Sequence, residues 1–401
     1  MQSLAHYRKQ AEDLVKRRKS GDPAALQLIR QNHPRFSRLS DAKIQTGRFT
    51  LADAQRVIAH EDHFESWPKF AKHIQALQRP TSTVSKFEAA VEAVIKGDLP
   101  TLKRLLREHP KLIRERSTRQ HRATLLIYVG ANGVEGYRQK TPKNAVKVAE
   151  TLLDAGAEID AVGKMYRGTT TLGLVATSVH PYLAGVPDDL MDLLLKRGAS
   201  LDIAVARDYT NGSVVNACLA NGRPEAAEFL SKRGARLDLD GAAGMGRLDV
   251  VESFFKPDGS LKSTATKKQV IDGFSWACGC GRTAVVDFLL KHGMDVAAPL
   301  GRSGMTGLHC AAYGGNVDTV RLLLERKAPV DAVEREWNNT PLGWALHSWS
   351  ESRTRAEREP YYQVVAMLVA AGATVRPAVL EWSKVSADRR MLRALRSEPS
   401  K

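Results

Sequence analysis

Aromatic residues are scarce in this sequence. Phe, Trp and Tyr together make up 6% of the 401 residues, whereas hydrophobic residues as a whole make up 43%. A chain of this length with so much apolar content can bury a continuous core. A core rich in Ala and Leu suits stacked short helices better than a β-sandwich or a large α/β enzyme. The composition therefore favours an all-α protein.

Cysteines and long apolar runs are also few. The four cysteines are too sparse for a disulfide framework, which favours a reducing compartment; they are Cys218, Cys278, Cys280 and Cys310. The first twenty residues contain repeated Lys and Arg and no apolar core, so we do not expect a secretory signal. No apolar run is long enough to span a bilayer. We therefore expect a cytoplasmic protein with no membrane insertion.

Acidic residues are in the minority. Lys and Arg total 60 against 44 for Asp and Glu, which gives a formal net charge of +16 and a pI near 9.7. Such an excess favours acidic partners: a nucleic acid, an anionic membrane surface or an acidic protein. The simpler interpretation is a surplus of basic residues on an ordinary surface, because net charge does not report on fold.

The most regular stretch is 304–332. It contains a Thr-x-Leu-His-x-Ala-Ala pattern, a turn glycine, a leucine-rich segment and a closing Val-Asp-Ala. These features are Thr306, Leu308, His309, Ala311, Ala312, Gly315, Leu322, Leu323, Leu324, Val330, Asp331 and Ala332. The stretch resembles an ankyrin repeat, with Gly307 where that family usually has proline. The resemblance implies a helix pair with a hairpin or loop tip, and a family known for binding partners rather than for catalysis.

Similar stretches recur at intervals near the ankyrin period of about 33 residues. We number them repeats 1 to 8, at 87–116, 123–157, 170–199, 214–235, 239–251, 274–293, 304–332 and 340–373. Insertions at 134–144, 179–187 and 348–362 are expected to lengthen the turns between the helices of repeats 2, 3 and 8. One helix pair cannot bury its apolar face alone, so neighbouring pairs must stack. The sequence thus predicts a solenoid of about eight helix pairs.

Four segments are expected in the chain: a basic helical N-terminal cap region at 1–79, a linker at 80–85, the repeat array at 86–376, and a C-terminal capping helix and tail at 377–401. The Gly-Asp and His-Pro spacing after Gly21 matches that after Gly97, which indicates a diverged repeat inside the cap region. Helices over 51–58 and 67–77 fit a capping hairpin, with a DNA-binding helix-turn-helix as the alternative.

Three motifs resemble a metal site, a catalytic pair and a nucleotide-binding loop. Cys278 and Cys280 lack the further ligands that a zinc site needs, and Cys278 stands where a repeat has a core alanine. His309 and Cys310 are neighbours on one helix, whereas a catalytic pair usually meets through the fold; the resemblance gives this His a structural role. The glycine-rich stretch 241–246 lacks a preceding strand and a Gly-Lys-Ser/Thr. We therefore predict no catalytic residue, no metal and no cofactor.

The resemblance implies that partners meet the tips and the exposed part of each first helix. The positions that the repeat leaves free for this are Tyr166, Arg167, Tyr209, Arg302, Met305, Tyr313, Glu336, Trp337 and His347. The leading hypothesis is a non-enzymatic protein that binds a protein or peptide, with an acidic partner favoured by the charge. The alternatives are nucleic-acid binding by the basic N-terminal helices, and an enzyme with a site in the groove.

Overall fold

The computed structural model describes residues 2–131, 133–202, 205 and 213–396. These residues fold into two compact units, 1–214 and 215–401, which we call the N-terminal and C-terminal units. Within the described residues the protein is all-α, and the extended pairing consists of isolated bridges such as Leu300 with Met305.

The N-terminal unit contains α1 (Leu4–Lys19), α2 (Pro23–Asn32), α3 (Asp41–Thr46), α4 (Leu51–Glu61), α5 (Trp67–Leu77), α6 (Thr83–Lys96), α7 (Leu99–Glu108), α8 (Ala145–Asp154), α9 (Thr171–Thr177), α10 (Val179–Leu183) and α11 (Pro187–Lys196). It also contains 3-10 turns at Pro110–Arg114, Ile127–Gly130, Gly136–Arg138 and Met165–Arg167. The boundary between the units falls at the start of α12 (Val214–Ala220).

The remaining helices belong to the C-terminal unit. They are α13 (Pro224–Ser231), α14 (Leu239–Met245), α15 (Leu248–Ser253), α16 (Lys267–Gly279), α17 (Thr283–Lys291), α18 (Gly307–Tyr313), α19 (Val317–Glu325), α20 (Pro341–Glu351), α21 (Arg355–Ala370), α22 (Pro377–Glu381), α23 (Ser383–Ser386) and α24 (Arg389–Leu395).

Helices α1 to α5 enclose an aromatic core. Phe36 lies edge-on to Phe49, and Phe64 lies edge-on to Phe70, with ring centroids 5.5 and 5.4 Å apart. The buried face of α4 consists of Ala, Val and Ile, and its first turn is closed by a capping box between Thr50 and Asp53. This region is therefore a helical cluster with its own core.

The Gly-Asp stretches repeat in structure as well as in sequence. Gly21 and Gly97 both adopt positive φ, at 77° and 71°, where a side chain would be strained. The aspartate that follows each glycine caps the next helix: Asp22 accepts from Ala24 and Ala25 N–H, and Asp98 accepts from Thr101 N–H. The internal repeat thus encodes the same entry into α2 and into α7.

The predicted linker at 80–85 is shorter in the structure. Ser82 caps α6 by accepting from Ser85 N–H, so the helix begins at Thr83. Helix α5 packs on α6, and Gln120 N–H donates to the His63 carbonyl over 2.8 Å. The N-terminal helices therefore pack on the first helix of repeat 1 and are hydrogen-bonded through the backbone to the segment between repeats 1 and 2.

The repeats stack as helix pairs. In the C-terminal unit the first helices α14, α16, α18 and α20 pack one on the next, and the second helices α15, α17, α19 and α21 do the same. In the N-terminal unit the turn at Ile127–Gly130 packs on α6 and α9, while α8 packs on α7 and α11. The small residues expected at the contact, such as Ala311 and Ala312, are fully buried.

Helix ends follow the expected rules. Thr170 and Thr340 cap α9 and α20 by accepting from the N–H three residues on. Five second helices end at glycines with φ near 90°, namely Gly156, Gly198, Gly234, Gly293 and Gly372. In repeat 7 the same position is Lys327, and it too takes positive φ, at 61°.

The insertions differ from expectation, because two of the three are helical. The 179–187 insertion contains α10, capped by Ser178. The 348–362 insertion extends α20 and α21, and Thr354 and Glu357 form a capping box at the start of α21. The charged residues around Arg355 therefore belong to the first turn of a helix and not to a lengthened turn between helices. Conversely, the first helix of repeat 2 is only the 3-10 turn Ile127–Gly130.

Candidate interaction surfaces

The tip of repeat 8 presents a tryptophan on a fixed loop. The buried carboxylate of Glu334 accepts from the N–H groups of Glu336, Trp337 and Asn339, at 2.7, 2.8 and 3.2 Å. Burial opposes ionisation of Glu334, but these N–H donors hold its pKa below the usual range. The loop is thereby closed around one anion, while the Trp337 side chain is 69% exposed. Tryptophan is one of the residue types that are enriched in binding hot spots.

The tip of repeat 7 lies beside the tip of repeat 8. Arg335 N–H donates to the Ser303 carbonyl over 2.7 Å, which ties the tip of repeat 8 to the tip of repeat 7. Arg302 is exposed on that tip, and the Met305 carbonyl accepts from Leu300 N–H over 2.6 Å. The structure thus brings together four of the predicted positions, and we call this set the tip surface: Arg302, Met305, Glu336 and Trp337.

The first helices of repeats 7 and 8 carry a second group of predicted residues. Tyr313 and Trp344 lie edge to face with centroids 5.5 Å apart, and Trp344 and His347 do the same at 5.5 Å. Tyr313 is 49% exposed and His347 is exposed. The Tyr361 hydroxyl donates to the Tyr313 carbonyl over 2.9 Å, so α21 supports this aromatic row of Tyr313, Trp344 and His347.

The predicted partner-binding residues of the N-terminal unit are more involved in holding the local structure. The Tyr166 hydroxyl donates to the Gly133 carbonyl over 2.8 Å, although the ring is half exposed. Tyr166 and Arg167 both take positive φ, at 49° and 64°. Arg167 is exposed at the tip. Tyr209 lies outside the described residues.

A buried charged network in the N-terminal unit was not predicted. Glu88 of α6 faces Arg119 and Arg138 at 2.7 Å each. Glu135 faces the same two arginines, at 3.1 and 3.0 Å. His121 Nδ1 accepts from Ala123 N–H over 3.1 Å, so its Nε2 carries the proton that faces Glu135 at 3.2 Å. All five side chains are under a tenth exposed.

Electrostatics keeps Glu135 and Arg138 of this network charged. Burial opposes the charge on Glu135, but His121 and the two arginines outweigh burial and hold the Glu135 pKa well below its usual range. Burial similarly opposes the charge on Arg138, and the facing Glu88 and Glu135 raise its pKa. The only sign of this network in the sequence is the group of charged residues inside the insertion at 134–144 and just before repeat 2. The network joins that insertion to α6.

The C-terminal unit holds a second buried polar group, also missed. Asn216 Nδ2 donates to Asp238 at 3.2 Å and to Asp240 at 2.9 Å, and both carboxylates are almost fully buried. Burial and the neighbouring Asp238 raise the pKa of Asp240 to about 7. Asp238 also caps α14 by accepting from Gly241 N–H. The two aspartates therefore lie at the start of α14, beside the glycine-rich stretch 241–246 that resembles a nucleotide-binding loop.

Of the residues that looked reactive, His309 and Cys278 are buried, whereas Cys280 and Cys310 are half-buried. His309 Nδ1 accepts from Thr306 N–H over 3.0 Å, and Nε2 lies 3.3 Å from the Asn339 carbonyl, which joins repeats 7 and 8. Burial lowers the His309 pKa and raises the pKa of the Cys310 thiol. Cys278 is fully buried, and Cys280 caps the end of α16. Among the described residues no cluster of His, Cys, Asp and Glu has the arrangement of a metal site.

Several basic residues of the N-terminal helices are engaged within the unit. Arg18 is buried and donates to the carbonyls of Ile44 and Gly47, at 3.0 and 2.5 Å. Arg17 pairs with Asp22 at 2.8 Å, and Arg35 pairs with Asp53 at 3.0 Å. Arg30 pairs with Asp41. These arginines stabilise the fold, and α5, the recognition helix of the alternative interpretation, buries Phe70 and Ile74.

In the part of the chain that the structure describes, no helix combines the length and the apolar character that crossing a bilayer requires.

Comparison with known proteins agrees with the repeat pattern. A family profile described as ankyrin repeats (many copies) matches residues 274–324, which cover repeat 6 and most of repeat 7. The chain is 38% identical over 96 residues to palmitoyltransferase Hip14 of Drosophila melanogaster, and 43% identical over 60 residues to inversin of Gallus gallus. These matches cover 24% and 15% of this chain but only 13% and 5% of the two relatives.

A solved structure, the ankyrin repeat domain of human ASB11, aligns with 72% of this chain and 99% of its own length, at 19% identity and a TM-score of 0.35. The matched segment 274–324 contains helix pairs whose caps, turn glycines and stacking are repeated in both units of the structure. Residues 274–324 of this chain are ankyrin repeats.

Proposed function

We propose that this protein is a non-enzymatic scaffold that binds a protein or peptide partner through the tip surface and the aromatic row of its C-terminal unit. Ankyrin repeats are a protein-interaction module, and the matched profile lies in this unit. The four cysteines are free, and burial raises the pKa of the Cys278 and Cys310 thiols. Free cysteines are typical of proteins in a reducing compartment, which supports a cytoplasmic location.

The observation that carries the proposal is the Trp337 loop. An exposed indole is costly for a surface with no partner, because it leaves a large apolar area in water. Here the loop is closed by three hydrogen bonds to buried Glu334, so little conformational entropy is lost when a partner binds. Arg302 on the adjoining tip adds a cation, and Arg and Trp are the residue types enriched in hot spots.

The proposal is tested by peptide selection on the intact chain. Peptides selected from a random displayed library would be synthesised, and their dissociation constants measured by calorimetry with the wild type and with Trp337→Ala. We expect the substitution to weaken binding by about 30-fold, the loss of about 2 kcal/mol that defines a hot spot. Trp337→Phe should recover part of the affinity, because it restores apolar contact area.

The matched control is Leu51→Ala, which removes an exposed apolar side chain from the N-terminal unit. It should change affinity less than twofold. If every selected peptide binds the Trp337→Ala variant as tightly as the wild type, the tip surface is not the binding site and the proposal is wrong.

The two alternative functions receive less support. Nucleic-acid binding through the N-terminal helices would draw on arginines that are already paired or buried, such as Arg17 and Arg18. Catalysis in the groove would need a group with a tuned pKa on an open surface, whereas His309 is buried and Cys310 is half-buried beside Ser275.

A further inference from the structure

The N-terminal unit has an open cavity on the side of the turns between helices. It has a volume of about 700 Å³ and lies among the end of α6, the segment that leads into α8, and α10. None of the predicted partner-binding positions lines it. It is therefore a surface separate from the tip surface.

The lining of this cavity is basic. Lys96, Lys140 and Lys143 contribute to it, and no Asp or Glu does. Lys96 lies 3.6 Å from Glu92, but Glu92 is also held by buried Arg138 at 3.1 Å. Among the described residues, neither Lys140 nor Lys143 forms an ion pair, and both are exposed. These two charges are available to an acidic ligand.

One wall of the cavity is apolar and exposed. Leu183 lines the cavity and is 65% exposed, and on the same five-residue helix Tyr182 is 52% exposed and Val179 is also exposed. Scattered apolar residues are normal on a surface, but three on one short helix form a patch. Leu183 follows His180 by three positions, so these two cavity-lining residues share one face of α10, and Ala184 lines the cavity from the end of the helix.

Helix α10 is held in place despite its exposure. Pro181 is buried, Ser178 caps the helix by accepting from His180 N–H, and Val186 N–H donates to the Pro181 carbonyl over 3.2 Å. Gly185 leaves the helix with φ of 73°. The other wall is also fixed, because Asn144 Nδ2 donates to the Gly97 carbonyl over 2.8 Å. The cavity is thus formed before any ligand arrives.

We propose that this cavity, lined by Lys96, Lys140, Lys143 and Leu183, is a second docking site that takes an acidic peptide segment bearing an apolar side chain. The carboxylates of the segment lie against the lysines, and its apolar side chain covers Leu183 and Ala184. Carboxylates close to two unpaired lysines gain from charge complementarity, which gives specificity and speeds association. Covering Leu183 removes exposed apolar area from water. The site does not depend on the tip surface of the C-terminal unit.

The test uses the full chain and a fluorescein-labelled peptide of glutamates around one central leucine, measured by fluorescence anisotropy. Two further peptides carry serine for the leucine, or glutamines for the glutamates. We expect the double variant Lys140→Glu/Lys143→Glu to weaken binding of the leucine peptide about tenfold or more. Leu183→Ala should weaken the leucine peptide but leave the serine peptide unchanged.

The matched control is Lys103→Glu/Lys111→Glu, which makes the same change in net charge at exposed lysines of this unit outside the cavity. It should change affinity less than twofold. Equal loss in both double variants would overturn the site and leave only a general effect of net charge. Absence of binding of the leucine peptide at millimolar concentration would also overturn it.

Two competing occupants are tested in parallel, an oligothymidylate and phosphatidylserine vesicles. If either binds more tightly than the leucine peptide with the same dependence on Lys140 and Lys143, the acidic-peptide assignment is wrong. Trp337→Ala should leave peptide binding here unchanged, so failure of this site and failure of the tip surface give different results.

Discussion

At the scale of single residues, Lys327 stands at a position where five other second helices have a glycine. A side chain in the left-handed region costs about 1 kcal/mol. We expect Lys327→Gly to raise the free energy of unfolding by about 0.5–1 kcal/mol, as measured by urea denaturation. The reverse change, Gly372→Ala, should lower it by a similar amount, because an added Cβ there would meet no neighbour within 4 Å. A destabilised Lys327→Gly variant would contradict this account.

Asp240 gives the residue-scale prediction for pH. Its pKa is raised to about 7 in the folded chain, so the folded state binds a proton that the unfolded state releases near pH 4. Asp240 therefore lowers stability progressively as pH rises from about 4 to about 7. Asn resembles the protonated acid, so Asp240→Asn should gain stability over the wild type across this window, by at most about 1.4 kcal/mol per pH unit.

The measurement is the free energy of unfolding of both proteins between pH 4 and pH 8. Asp249→Asn is the control, because exposed Asp249 pairs with Arg247 at 2.7 Å and its pKa is lowered. It should show no gain as pH rises. A difference between Asp240→Asn and the wild type that stays constant over the whole range would show that Asp240 does not titrate there.

At the scale of elements, the buried charges decide how the insertion of repeat 2 is held. Removing one partner of a buried ion pair leaves an uncompensated charge and lowers the free energy of unfolding by about 3–5 kcal/mol. We expect Glu135→Gln to destabilise the protein by about 3 kcal/mol in urea denaturation, since Glu88 still faces both arginines. The wild-type contribution is present above the usual carboxylate range and is lost as pH falls, because the Glu135 pKa is lowered.

Glu108→Gln is the control for this substitution. Glu108 pairs with Arg104 at 3.0 Å on the exposed side of α7, and such a pair contributes less than about 0.5 kcal/mol. If the two variants lose the same stability, the buried network is not what holds the insertion.

At the scale of the whole molecule, most of the fold could be predicted because its signals are periodic. The capping threonines, the turn glycines and the terminal glycines each serve a local backbone need, so they are visible in one sequence. The helical insertions were not visible, because their caps at Ser178 and Thr354 interrupt the repeat period. The buried network was missed because Glu88 and Glu135 are far apart in sequence and meet only through the fold.

The candidate surfaces were predictable to the same extent. The register placed Trp337 and Arg302 on the tips, but it could not show that Glu334 closes the loop beneath the indole. It could not reveal the lysine-lined cavity either, since that depends on where an insertion folds. The sequence indicates the local backbone conformation, but it does not indicate which charged and apolar side chains become neighbours in the fold.

The exposure of Trp337 also has an optical consequence. The protein has six tryptophans, and the other five, at positions 67, 276, 344, 349 and 382, are buried or half-buried. An indole in water emits at longer wavelength and is more accessible to a collisional quencher than one in a core. The red edge of the emission spectrum therefore comes mainly from Trp337, and the protein carries its own unlabelled reporter of whether the repeat 8 tip is covered.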